Sequence, residues 1–156
     1  MTTKRVLILG IGNLILKDEG IGVHVLRALE EQSLPSQVEL IEGGTATLDL
    51  LSPFCDSERI IVVDAMKATG KPGTIYRCLP EDLMEISDRP LSLHQVGLLD
   101  VLSMARQLGG NPAVVIIGVE PKEISWGLEL TEEIQAVVPK VVEAVKLELK
   151  GLGMDE

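Results

Sequence analysis

Three polar side chains stand where apolar or glycine-rich stretches of this sequence end. Glu19 closes a loop that runs from Gly10-Ile11-Gly12-Asn13 to Asp18-Glu19. Asp64 follows the apolar run Ile60-Ile61-Val62-Val63, and His94 sits in Ser92-Leu93-His94-Gln95. Two carboxylates and an imidazole form a mixed oxygen and nitrogen set, which suits a divalent transition metal and leaves coordination positions open. Each residue also has a plainer reading. Asp18 and Glu19 precede a helix, where acids favour the positive end of the helix dipole. Asp64 could cap the turn after its strand, although an unpaired buried carboxylate costs several kcal/mol. His94 could be a surface histidine. In the first turn of a helix its imidazolium is disfavoured, so a neutral, metal-competent ring is expected near pH 7. His24 serves as a control. It falls five residues after Glu19, about 140° around a helix, and should point elsewhere.

These residues need elements to bring them together. Val6-Leu7-Ile8-Leu9 reads as a central strand, Val38 to Ile41 as a second and Ile60 to Val63 as a third. Gly73 to Cys78 alternates after Pro72-Gly73 and reads as an edge strand, and Val114 to Ile117 as a fifth. Ile21, Val25 and Leu29, with Leu26 beside them, mark a helix. Leu48, Leu50 and Leu51 suggest a short helix ended by Pro53. Ser92 and Gln95 have capping-box spacing at the start of a helix whose buried side is read as Val96, Leu99, Leu102 and Leu108, closed by Gly109-Gly110. A last helix carries Ile134, Val137, Val138, Val141, Val142, Val145 and Leu149, with a kink or restart expected at Pro139. Strand and helix signals alternate throughout. The expected fold is α/β: a three-layer α/β/α sandwich, with a twisted, mostly parallel sheet of about five strands and helices on both faces, in one domain over residues 1–156. Ligands in open sheets of this kind bind beyond the carboxyl ends of the strands. That rule points to 10–19, 42–45, 64–65 and 118–121.

Composition narrows the chemistry. Hydrophobic residues make up 46% of the chain but aromatics only 2%, so aliphatic side chains must fill the core. The net charge of -10 opposes phosphate backbones and anionic lipid; neither nucleic acid nor membrane is expected as a partner. Cys55 and Cys78 lack metal or redox spacing and read as small hydrophobes. Met1 to Arg5 leads into an apolar run that is too short for a membrane span and lacks a signal-peptide cleavage pattern, which makes the cytoplasm the expected location.

Glycine spacing offers a rival. Gly10-Ile11-Gly12 after a first strand is similar to a dinucleotide fingerprint, and Glu42 ends the second strand where a ribose-binding acid can lie. The third glycine would fall at Ile15, however, and Asp18 and Glu19 would repel a pyrophosphate. A nucleotide- or dinucleotide-binding module is the alternative reading, with a non-cutting metal chaperone as a third. The chain contains no HExxH or GxSxG motif.

Read in order, the segments resemble one family. Gly10-Ile11-Gly12-Asn13 through Asp18-Glu19-Gly20-Ile21-Gly22-Val23 resembles the opening signature of the hydrogenase maturation endopeptidases. Glu42-Gly43-Gly44-Thr45, Val63-Asp64-Ala65, Pro72-Gly73-Thr74, Ser92-Leu93-His94-Gln95, Gly118-Val119-Glu120-Pro121 and Gly127-Leu128-Glu129-Leu130-Thr131 match its later landmarks. The resemblance implies a peptidase that removes the C-terminal extension of a nickel–iron hydrogenase large-subunit precursor after nickel insertion. It implies that Glu19, Asp64 and His94 contact the metal and carry the catalysis. The nickel is held by substrate cysteines, and other divalent ions are expected to substitute in vitro. Glu42 occupies a place where relatives often carry Asp. Either the ion or, in an aspartic-type reaction, a water positioned by Asp64 or Glu19 attacks or polarises the scissile carbonyl, and a monomeric cytoplasmic enzyme completes the expectation.

Overall fold

The structure is a computed structural model and describes residues 5–44, 48–86 and 91–153. The wholly apolar β1 (Val6–Ile11) is buried at every position. It leads through a 3-10 turn, Lys17–Gly20, into α1 (Ile21–Glu30). There follow β2 (Val38–Gly44), α2 (Leu51–Asp56), β3 (Arg59–Ala65), β4 (Ile75–Cys78), a short α3 (Leu83–Ile86), α4 (Leu93–Gln107), β5 (Ala113–Val119) and α5 (Glu132–Gly151). Thr45 lies outside the described residues.

The strands form one sheet in the order β2-β1-β3-β5-β4. All pairs are parallel except β4 against β5, so the expected edge strand is present and antiparallel. Alternation along the strands splits the core in two. Val6, Ile8, Ile61 and Val63 pack with Val25 and Leu26 of α1 and Val141 and Val145 of α5. Leu7, Leu9, Ile60 and Val62 pack with Phe54 of α2 and Leu98, Val101 and Leu102 of α4. Helices therefore cover both faces, and the α/β/α layering matches the expectation. No described helix is long and apolar enough to cross a membrane.

Three local expectations need correction. Pro53 does not end its helix but lies in the first turn of α2, where its fixed φ suits the helix. The last helix does not restart at Pro139; α5 runs through it as one element. Pro139 and Gln135, whose carbonyl loses its donor, are both exposed, so water can take that carbonyl. The buried residues on both sides, including Ile134, Val138, Val141 and Val145, offset the proline's cost of about 3 kcal/mol.

The third correction concerns α4. Its buried line is His94, Leu98, Val101, Leu102 and Ala105, whereas Val96 and Leu108 are exposed. The histidine itself sets the phase of the stripe. Ser92 does accept from the Gln95 N–H, and Gln95 Oε1 accepts from the Ser92 N–H, as the capping box requires.

Candidate functional site

The strand order reverses at β1: β1 is followed through α1 by β2 on one side, while β3 lies parallel to it on its other side. That crevice is where an open parallel sheet presents ligands. Two glycines shape it. A Cβ at Gly22 would lie 2.2 Å from the Val63 carbonyl oxygen and 2.5 Å from that of Ile11, so α1 starts hard against the sheet. At Gly12, with φ +129°, a Cβ would lie 2.0 Å from the Glu19 carbonyl oxygen. Gly12, one of the glycines that resembled a phosphate loop, thus seats the Glu19 turn onto the end of β1.

The turn is also fastened from outside. Asp18 is fully buried, and its carboxylate accepts from the backbone N–H groups of Lys122 (3.0 Å), Glu123 (2.9 Å) and Thr131 (2.8 Å) and from the Thr131 hydroxyl (2.9 Å). Favouring a helix dipole, the plain reading of Asp18 from sequence, is therefore the lesser part of its work. It ties the turn to a segment more than a hundred residues later. Sequence offers no local signal for such a contact.

Glu19, Asp64 and His94 are brought together. Glu19 Oε1 lies 3.5 Å from His94 Nδ1, and Asp64 Oδ1 lies 3.3 Å from His94 Nε2. The imidazole, 10% exposed, stands between a half-buried carboxylate and one almost wholly buried. Neither Asp64 oxygen has an aligned hydrogen-bond donor, an unusual state for a buried carboxylate. Burial pushes the Asp64 carboxyl up to about 6, with Glu19 adding to the rise and His94 only partly opposing it. For His94, burial pulls the imidazole down, but Asp64 and then Glu19 outweigh it and leave the ring above its ordinary value. This opposes the lowering expected from the helix dipole: two carboxylates at contact distance outweigh a terminal partial charge.

Among the described residues, no three His, Cys, Asp or Glu side chains already form a cage that could hold a metal. The three groups are nonetheless chemically suited to an ion. Asp64 presents two free acceptors in a dry setting, and an arriving cation would replace the imidazole proton. A site whose imidazole lies 3.3 and 3.5 Å from its two carboxylates, with the Asp64 oxygens unsatisfied, fits an ion that brings its other ligands with it.

The remaining candidates stand elsewhere. His24 is half-buried on α1, and no ion pair joins it to the three; its Nε2 is buried without a partner, and burial, then Arg27, lowers its pKa. Glu42 pairs with Arg27 at 3.0 Å. Cys55 and Cys78 are free thiols, Cys78 buried, in keeping with their reading as small hydrophobes. Sequence reasoning passed over Glu120. This buried acid accepts from the Ala68 N–H and the Tyr76 hydroxyl, each at 2.8 Å, and so holds the segment that follows Asp64. The signal was present, since Glu120 ends an apolar strand just as Asp64 does.

Comparison with known proteins bears on what this arrangement does. The family model described as hydrogenase maturation protease matches residues 23–148. The chain is 35% identical to the hydrogenase 2 maturation protease of Escherichia coli K12, covering 97% of this chain and 94% of that one. It superposes on the solved hydrogenase maturating endopeptidase HybD of E. coli with a TM-score of 0.89, at 35% identity over 97% of this chain and 95% of the other. A [NiFe] hydrogenase maturation protease, HybD of Thermococcus kodakarensis, aligns with a TM-score of 0.74 and 32% identity over 91% and 97%. The chain belongs to the hydrogenase maturation protease family and is an endopeptidase, a hydrolase of peptide bonds.

Proposed function

We propose that this endopeptidase removes the C-terminal extension of a nickel–iron hydrogenase large-subunit precursor once nickel has been inserted. Glu19, Asp64 and His94 read the nickel that the precursor carries. The observation that supports this most is the imidazole held between two carboxylates, with both Asp64 oxygens buried and unsatisfied. The T. kodakarensis relative is a [NiFe] hydrogenase maturation protease, which supports the choice of metal. Nickel here is part of the substrate, and an open set of three side chains suits an ion shared with another protein.

Chemically, the arrangement offers an aspartic-type reaction. A cation held beside Asp64 and Glu19 polarises the scissile carbonyl, while one of the carboxylates positions the attacking water. His94, buried between the two acids, fixes their separation and loses its proton as the ion arrives. The enzyme works as a cytoplasmic monomer on a protein substrate.

Mass spectrometry of the precursor, with and without nickel, after incubation with this protein tests the reading. Shortening of the loaded precursor alone is expected, and Glu19→Gln should lower the rate by about a hundredfold or more. Equal cutting of the nickel-free form, or full processing by Glu19→Gln, overturns it.

A further inference from the structure

The chain has one tryptophan, and it is not in the core. Trp126 is 78% exposed, close to Leu128 at 69% and Ile15 at 43%. The three lie on one small ribbon. The Gly127 N–H donates to the Ile15 carbonyl and the Lys17 N–H to the Gly127 carbonyl, both at 2.9 Å, in a parallel bridge of Leu16 with Gly127. The bridge brings the segment of Ile15 alongside that of Trp126, and Trp126 and Leu128 flank Gly127 as exposed side chains. Lys17, at φ 48°, lays its stem along the Gly127 side, where a Cβ would meet its Cε at 2.9 Å. Three large apolar side chains are thus exposed around one bridge.

The ribbon is held firmly. Asp18 grips Lys122, Glu123 and Thr131 on either side of Trp126, and Lys17 pairs with Glu123. An exposed aromatic on a rigid frame is a typical binding anchor, because little freedom is lost when a partner covers it. The ribbon is also continuous with the site. Ile15 lies in the loop that carries Glu19, whose carboxylate faces His94, and Leu93, next to His94, is 91% exposed. Exposed apolar side chains thus occur in the segments of chain that carry Glu19 and His94. The net charge of -10 opposes a second copy of the chain or an anionic membrane as the occupant.

We propose that the face formed by Ile15, Trp126 and Leu128 is a docking lip for an apolar segment of the protein substrate next to the bond that is cut. This rests on the proposed function for the identity of that substrate, and adds the surface that grips it. The docking determines KM, whereas the polar groups determine kcat.

Two measurements on the full-length enzyme test it. In steady-state cleavage of nickel-loaded precursor, Trp126→Ser and Leu128→Ser should each raise KM about tenfold or more while kcat changes far less. Leu147→Ser, at a 65% exposed position on α5, is the control and should match wild type. Enzyme grown with 5-fluorotryptophan gives a single fluorine resonance, which should shift on titration with unlabelled precursor. KM within twofold of wild type in both variants, or a resonance unmoved at saturating precursor, overturns the proposal. So does a dimer that Trp126→Ser dissolves with KM unchanged, or a shift produced by anionic vesicles and not by precursor. Should wild type leave the precursor uncut while the resonance still shifts, the lip stands and the nickel-gated cleavage falls.

Discussion

Removing the Asp18 carboxylate should loosen the molecule at one seam, by an amount the structure lets us work out. In Asp18→Ala the N–H groups of Lys122, Glu123 and Thr131 lose their acceptor together, and so does the Thr131 hydroxyl. A buried donor left without a partner costs about 1–3 kcal/mol. These donors are only partly buried and the hydroxyl can turn to water, so the lower end of that range applies. Three amides at about 1.3 kcal/mol each give a loss of about 4 kcal/mol. For a chain of 156 residues that corresponds to a fall in Tm of about 12 °C. Asp18→Asn keeps the shape and one acceptor oxygen and should lose about half as much. Thermal and urea unfolding measure the totals. Hydrogen exchange locates the change, because the amides of Lys122, Glu123 and Thr131 should exchange faster while those of β1 and β3 keep their rates relative to global unfolding. A loss below about 1 kcal/mol in Asp18→Ala, or equal losses in the two variants, would refute the view that this carboxylate fastens the Glu19 turn.

Two further outcomes follow from the same packing and charges. Asp64 has a folded-state pKa of about 6, above its ordinary value of 3.8, and His94 is raised above its own. In the metal-free protein both contributions are most favourable at low pH. The Asp64 part declines as pH rises from about 4 to about 6, and the His94 part as pH passes its folded value. Asp64→Asn should therefore gain stability relative to wild type as pH rises through that window, while losing processing activity; parallel pH profiles of unfolding free energy would count against this. On α4, Leu98→Ala should cost about 3 kcal/mol and Leu108→Ala less than about 0.5, as judged by urea unfolding, since only Leu98 lies on the buried line.

The three polar groups illustrate how far residue patterns reach. Asp64 and Glu120 each end an apolar strand, and that placement marks a rim residue whatever its role. The pattern does not say what each carboxylate meets. Asp64 finds only an imidazole at 3.3 Å, whereas Glu120 is satisfied by Ala68 and Tyr76. One is left available to an ion and the other becomes a brace.

The sequence by itself determined what depends on short-range periodicity. Continuous aliphatic runs marked the buried strands, alternation marked the edge strand, and Ser92 with Gln95 marked the start of α4. All of these arise from steric and hydrogen-bonding rules acting over a few residues. Phase and partnership were decided by tertiary structure alone. The buried line of α4 runs through His94, and no count of leucines shows that a polar ring will be drawn inward by two acids from other elements. Continuation across Pro139, the seam at Asp18 and the raised pKa of His94 likewise depend on groups distant in sequence. Their free energies come from contacts and burial that exist only after the sheet has assembled.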